Sequence, residues 1–207
     1  MRNIVFSKER FTDESQLKSE NNIIDNATEV VEAGSLMHRL LPEVIITAAF
    51  ITVALFIGHF IIKLNGKAAP ETNIKFAVEA IGVFAMCFLL LPYIHEFIHA
   101  TLYPAKADKT VWKRQGSYLV YCEAEVSRRR MVLILAMPLI VLGLLPFVVW
   151  MAVLPVLSAE MAYILLVADI YMIFICISDI GAIWVTLRFV PNDAKVFSYG
   201  LKYYYKQ

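Results

Sequence analysis

Long apolar stretches separated by short polar ones make up most of the chain after a polar beginning. The four stretches cover residues 44–62, 76 to about 103, 131 to about 154 and 161 to about 187. A helix of about 20 apolar residues crosses the hydrocarbon core of a bilayer, where backbone groups must be satisfied inside the segment. The pattern therefore predicts an all-α polytopic membrane protein with four transmembrane helices.

The composition agrees with a membrane protein. Hydrophobic residues make up 59% of the 207 residues, charged residues make up 18%, and the mean hydropathy is +0.64. Soluble domains are nearer half apolar and a quarter charged. Since the formal net charge is only +1, we expect membrane lipid and no nucleic acid as partners. The three cysteines are too few and too scattered for a disulfide framework.

Polar and apolar segments divide the chain into three predicted parts. Residues 1–43 are polar, with five basic against eight acidic residues, which predicts a soluble and loosely ordered N-terminal segment. Residues 44–190 contain the four apolar stretches and form the predicted transmembrane domain. Residues 191–207 are rich in tyrosine and lysine, which predicts a cytoplasmic aromatic and basic tail near the membrane interface.

The distribution of basic residues indicates an orientation. Seven Lys and Arg residues lie in the loop 104–130 between the second and third stretches, and none lies between the third and fourth. Cytoplasmic loops carry an excess of Lys and Arg. We therefore expect a multi-pass protein of the cell membrane, with the loop 104–130 and both termini on the cytoplasmic side.

The second apolar stretch ends in His95-Glu96-Phe97-Ile98-His99. Side chains four residues apart lie on one face of a helix, and two neutral imidazoles so placed can hold one Zn²⁺. Glu96 lies beside them and is the candidate catalytic general base for an attacking water. Ionisable groups inside an apolar helix are expensive and usually functional. The alternative is that they face a polar bundle interior without metal.

A catalytic zinc normally has three protein ligands, so one more is expected. The candidates in apolar surroundings are His59, Glu79, Glu160, Asp169 and Asp179. His99 lies about 10 Å inside the cytoplasmic edge, counted from Lys106 at about 1.5 Å per residue. Asp179 lies about 13 Å inside the same edge, counted from Arg188. Because these depths agree, Asp179 is the predicted third metal ligand. The alternative for Asp179 is a buried carboxyl that bonds a neighbouring helix.

Three short segments resemble a known bacterial membrane family, the "putative zincin peptidase" family, whose name is still that of a domain of unknown function. They are the motif 95–99, Ala136-Met137-Pro138-Leu139, and Ser178-Asp179-Ile180, and the resemblance covers about residues 76–190. More broadly the chain resembles the site-2-protease class of intramembrane metalloproteases. That class carries an Asn-Pro and an Asp-Gly near the third ligand, whereas Ile180 follows Asp179 here and no Asn-Pro occurs.

The resemblance implies a zincin-like transmembrane domain with zinc as cofactor. It implies that the zinc is bound by His95, His99 and Asp179 and that Glu96 is catalytic.

Residues 111–126 predict a short cytoplasmic β-hairpin between the second and third transmembrane helices. The segment Tyr118-Leu119-Val120-Tyr121 favours a strand, and Gln115-Gly116-Ser117 indicates a turn. An extended edge near the zinc helix can bind an unwound substrate segment by strand addition, so these four residues are weak substrate-binding candidates. The alternative is a plain connecting loop whose basic residues bind anionic lipid.

These features favour a membrane-embedded zinc metalloendopeptidase that acts on a membrane protein or peptide near the cytoplasmic face. The alternative is a non-catalytic metal-dependent membrane scaffold, or a small ion or proton transporter. Transporters often show internal repeats and paired broken helices, and the sequence predicts neither.

Overall fold

The computed structural model describes residues 4–12, 24, 26–30, 36–71, 73–114, 117–199 and 202–207. Much of the predicted N-terminal segment and the predicted turn residues 115–116 lie outside the described residues. The described part is mostly helical and also contains strands. Its helices are α1 Leu36–Leu64, α2 Ile74–Leu102, α3 Arg128–Pro138, α4 Leu145–Val153, α5 Ala159–Ile175 and α6 Ile177–Phe189.

Polar side chains start several of these helices. Asn73 precedes α2 and accepts a hydrogen bond from the Phe76 N–H, and Ser158 precedes α5 and accepts one from the Met161 N–H. Such caps satisfy backbone donors that have no partner inside the helix. A π-helical turn, Leu139–Leu144, joins α3 to α4, so that residues 128–156 form one long helical segment.

Three described helical segments are long and apolar enough to cross a membrane: Leu41–Leu64, Ile74–Leu102 and Arg128–Val156. The pair α5 and α6 passes the same test only when the two are taken together, and they are bent by 43° at their junction. The described chain thus has three candidate spans, or four if the bent pair is one span. Large apolar side chains on the outside, such as Phe56 at 74% exposure, suit a lipid environment.

The fourth apolar stretch is broken where the sequence analysis predicts one continuous span. Cys176 separates α5 from α6, with φ −85° and ψ 6°. Its carbonyl accepts hydrogen bonds from the N–H groups of Asp179 and Ile180, both at 3.1 Å, and so starts the new helix. The break places Asp179 in the first turn of α6, whose direction differs from that of α5.

Two sheets lie at the end of the bundle where α2 ends and α3 begins. The first consists of β1 Ile4–Arg10, β3 Lys109–Arg114 and β4 Ser117–Tyr121, in the order β1-β3-β4, with β1 parallel and β4 antiparallel to β3. The second consists of β2 Thr28–Glu29, β5 Val126–Ser127, β6 Lys195–Tyr199 and β7 Lys202–Lys206, in the order β2-β7-β6-β5. The strands therefore extend well beyond the single hairpin that was predicted.

Buried side chains form three groups along the bundle. The largest lies where α2, α3 and α6 meet the sheets, around Met131 and Val196. A second group surrounds Trp150 at the opposite end, and a smaller one around Leu142 lies between them. Gly181 brings α6 close to α1, because a Cβ at this position would overlap the Glu43 carboxylate. Helix α6 therefore packs closely against α1 at this position.

Candidate metal centre

Three buried side chains from α2 and α6 converge on one point. His95 and His99 lie on successive turns of α2, and their Nε2 atoms are 3.1 Å apart. Asp179 Oδ2 lies 2.9 Å from His95 Nε2 and 3.2 Å from His99 Nε2. The three residues predicted to bind metal are thus brought together, each with only 6% of its surface exposed.

The geometry of this triangle suits zinc. In a tetrahedral site with bonds of about 2.0–2.1 Å, ligand atoms lie about 3.3 Å apart. The three distances here, 2.9, 3.1 and 3.2 Å, are close to that value. Asp179 Oδ2 is buried, and its polar neighbours within the described chain are the two imidazole Nε2 atoms. A set of two imidazoles and one carboxylate is also a normal set of ligands for catalytic zinc.

Neighbouring groups fix how the imidazoles face this point. His99 Nδ1 lies 2.9 Å from the carbonyl oxygen of Ile134 on α3. A carbonyl can only accept, so Nδ1 carries the proton and Nε2 of the neutral ring keeps a lone pair for a metal. His95 Nδ1 lies 3.7 Å from Cys176 Sγ at the break between α5 and α6.

Pro138 explains why the Ile134 carbonyl is available to His99. In a regular α-helix this carbonyl would accept a hydrogen bond from the N–H of residue 138. Residue 138 is proline, which has no N–H, although it lies inside α3. Pro138 therefore leaves the Ile134 carbonyl free to accept a hydrogen bond from His99, a proposed metal ligand on α2.

Glu96 lies beside the triangle and contacts strand β4. Its side chain is half-buried, and its carboxylate accepts a hydrogen bond from the backbone N–H of Val120. Strand β4 forms one edge of its sheet, and β3 occupies the other side of the strand. The Val120 N–H is thus directed away from β3 and holds the carboxylate near the two imidazoles.

A cavity of about 560 Å³ contains the triangle and Glu96. Its described lining combines residues of β4, β6 and β7 with residues of α2, α3, α5 and α6. Phe88 on α2 and Phe174 on α5 belong to this lining, yet they are 64% and 52% exposed on the outer surface of the bundle. The cavity lining therefore extends to the outer surface of the bundle at Phe88 and Phe174, as well as to the sheets.

Comparison with known proteins places the chain in a family. A family model described as "Putative zincin peptidase" matches residues 88–195, which is just over half of the chain. The chain belongs to this zincin peptidase family. The matched range includes His95, Glu96, His99 and Asp179, and the family suggests a zinc metallopeptidase. No curated protein and no solved structure matches the chain.

The family membership predicted from the sequence is therefore confirmed. The broader likeness to site-2 proteases stays a prediction.

The structure separates the candidates for substrate binding. Tyr118, Leu119 and Val120 line the cavity from β4. The described lining does not include Tyr121, whose hydroxyl donates a hydrogen bond to Glu123 Oε1 at 2.7 Å.

The alternative third ligands lie elsewhere among the described residues. His59 Nδ1 is 3.2 Å from the Tyr163 hydroxyl, and Glu79 lies 3.9 Å from Lys75 Nζ on the exposed side of α2. Asp169 is buried in α5, and Glu160 lies in the first turn of that helix. The metal-binding group found in the described chain contains His95, His99 and Asp179 and includes none of these four.

Several cavity residues are not among the candidates predicted from the sequence, including the hydroxyl-bearing Tyr103, Ser198 and Tyr203. Tyr103 lies four residues after His99, so the same spacing that relates His95 to His99 also indicates Tyr103. Ser198 on β6 and Tyr203 on β7 reach the cavity only because the C-terminal hairpin folds back onto the bundle. Nothing in their local sequence predicts that position.

Proposed function

We propose that the protein is a membrane-embedded zinc metalloendopeptidase of the His-Glu-x-x-His type, which cleaves a membrane-bound protein or peptide near the cytoplasmic face of the cell membrane. The observation that carries the proposal is the convergence of three ligand atoms within 3.2 Å of one another. Glu96 lies at their side in the same cavity. Membership of the zincin peptidase family supports the same conclusion.

The proposed roles follow from the chemistry of each side chain. A zinc ion held by His95, His99 and Asp179 would supply a Lewis acid that polarises the scissile carbonyl and favours loss of a proton from water. Glu96 accepts a proton from the water that attacks the carbonyl carbon. As the carbon–nitrogen bond breaks, Glu96 donates that proton to the departing amine. Peptide and water thus become a carboxylic acid and an amine, which then exist as carboxylate and ammonium at neutral pH.

Strand β4 is the proposed binding site for the scissile segment. A helical substrate shields its peptide bonds with its own hydrogen bonds, so the segment must be extended before cleavage. The edge of β4 beside Glu96 offers backbone groups for strand addition, with Tyr118, Leu119 and Val120 in the cavity wall. Tyr121 continues this edge and contributes through its backbone.

The outward-facing part of the cavity lining and the charge distribution support a membrane location for the substrate. A segment that moves within the bilayer would meet this lining at Phe88 and Phe174, which are exposed on the outside of the bundle. The seven basic residues of 104–130 favour the cytoplasmic side for the sheets, and therefore for the cut. Both termini are proposed to lie on that side.

Metal removal tests the proposal directly. We expect the purified protein to contain about one zinc per chain, measured by elemental analysis. The assay is cleavage of a fluorescent reporter that carries one membrane-spanning segment, in liposomes containing the protein. Chelation should abolish cleavage, and added Zn²⁺ should restore it. A chain that takes up no zinc would contradict the proposal, and a zinc-loaded chain that cleaves no reporter in a varied panel would favour the scaffold.

Pro138→Ala should weaken zinc binding without removing a ligand. The new N–H of residue 138 competes for the Ile134 carbonyl, which loosens the hydrogen bond that orients His99. Loss of such orienting groups typically weakens metal affinity by about 10–100-fold. We expect about 10-fold, because the carbonyl can still accept from both donors. Competition with a chromogenic chelator measures the change.

Pro146→Ala is the matched control, since Pro146 lies in the same long segment at the start of α4. Equal zinc affinity in the Pro138 and Pro146 variants would show that Pro138 does not act through His99.

A further inference from the structure

Tyr103 is a cavity residue to which the roles above assign nothing. It caps the end of α2, one turn beyond His99 on the face that carries His95 and His99. Only 5% of its surface is exposed, and it lines the cavity that contains Glu96 and Asp179. A phenol in this position lies on the same side of the helix as the proposed ligands.

The Tyr103 hydroxyl makes only a long contact with its partner among the described residues. Its oxygen lies 3.4 Å from Ser198 Oγ, whereas O–H···O bonds are typically 2.7–2.8 Å long. Ser198 belongs to β6 and is itself 7% exposed, so the pair is shielded from water. A buried phenol normally makes a good hydrogen bond. The long contact leaves the Tyr103 proton available to a better acceptor in the cavity.

The phenol remains protonated at neutral pH. Burial raises the pKa of Tyr103 above its usual range; the contact with Ser198 lowers it by less than burial raises it, and nearby Cys122, Glu96 and Asp179 raise it slightly more. Tyr103 is therefore a neutral donor and cannot act as the base, a role that belongs to Glu96.

We propose that Tyr103 is a catalytic residue that donates a hydrogen bond to the oxygen of the scissile carbonyl, and that Ser198 positions its hydroxyl. This inference rests on the proposed function. Negative charge develops on that oxygen when water attacks, and a neutral hydrogen-bond donor in a cavity of low dielectric stabilises it. No proton is transferred: the phenol O–H remains intact and strengthens its hydrogen bond as the charge grows.

Tyr103→Phe tests the role, because it removes only the hydroxyl. We expect unchanged zinc content, an unchanged KM for the liposome reporter, and a kcat lower by about 10²- to 10³-fold. A second readout needs zinc but no turnover: the affinity of the zinc-loaded protein for benzohydroxamic acid, measured by calorimetry. The carbonyl oxygen of benzohydroxamic acid mimics the developing oxyanion. Tyr103→Phe should therefore bind benzohydroxamic acid about 10-fold more weakly than the wild type does.

Tyr163→Phe is the matched control, since its hydroxyl contacts His59 at the other end of the bundle. Tyr163→Phe should have the wild-type kcat for the reporter and the wild-type affinity for benzohydroxamic acid. Ser198→Ala should weaken hydroxamate binding by less than Tyr103→Phe, and it should add no further loss when combined with Tyr103→Phe. Non-additivity of this kind identifies a residue that acts through Tyr103.

The outcomes separate this inference from the proposed function. Equal hydroxamate affinity and equal kcat in Tyr103→Phe and wild type would overturn the role of Tyr103 while leaving the zinc centre in place. Additive losses in the double variant would overturn the positioning role of Ser198. A wild-type chain that binds no zinc would overturn the proposed function and this inference together.

Discussion

Replacing Glu96 with glutamine is expected to lower the rate of reporter cleavage by about 10²- to 10⁴-fold while zinc stays bound. Glutamine keeps the size of the side chain and can still meet the Val120 N–H through its carbonyl oxygen. It cannot accept a proton from water at neutral pH. The variant should therefore contain as much zinc as the wild type and melt at a similar temperature.

Glu79→Gln is the control for this substitution. Glu79 lies on the same helix, forms an exposed ion pair with Lys75, and is absent from the described metal-binding group. Its replacement should leave cleavage unchanged. If Glu96→Gln cleaves the reporter as fast as the wild type, Glu96 is not the base, and the metal centre would have to serve another reaction or a scaffold.

The candidate site could be predicted because its determinants are local or depend on simple distances. The spacing of His95 and His99 follows from the helical repeat alone. Asp179 could be predicted as the third ligand because the number of residues to the basic end of a span gives the depth of a residue along the helix axis. The structure adds what depth does not give, namely that the break at Cys176 points α6 and its carboxylate towards α2.

The rest of the fold depends on contacts between distant parts of the chain. Strand β1 pairs in parallel with β3, so that Val5 lies opposite Thr110. The C-terminal strands bring Ser198 and Tyr203 into the cavity although their sequence indicates only an aromatic tail. The break at Cys176 contains neither proline nor glycine, so no local signal marks it. Such features depend on tertiary packing, which single-sequence patterns do not report.

Asp179→Asn is expected to remove most of the bound zinc. The amide has the shape of the carboxylate but no negative charge, so it is a much poorer ligand beside two neutral imidazoles. Loss of a group that merely orients a ligand costs about 10–100-fold in affinity, and loss of the ligand itself should exceed that range. Elemental analysis after dialysis against a competing chelator should show near-stoichiometric zinc in the wild type and almost none in the variant.

Asp169→Asn distinguishes a ligand from a merely buried acid. Asp169 is as deeply buried as Asp179, and both of its carboxylate oxygens lack a hydrogen-bond partner within the described chain. Its replacement makes the same carboxyl-to-amide change inside the same bundle, yet zinc should remain. Loss of zinc in both aspartate variants would indicate a general effect on folding. Loss in His95→Ala with zinc retained in Asp179→Asn would mean that another group is the third ligand. Of the two aspartate variants, only a loss of zinc that is confined to Asp179→Asn fits a carboxylate that binds the same metal ion as the two imidazoles.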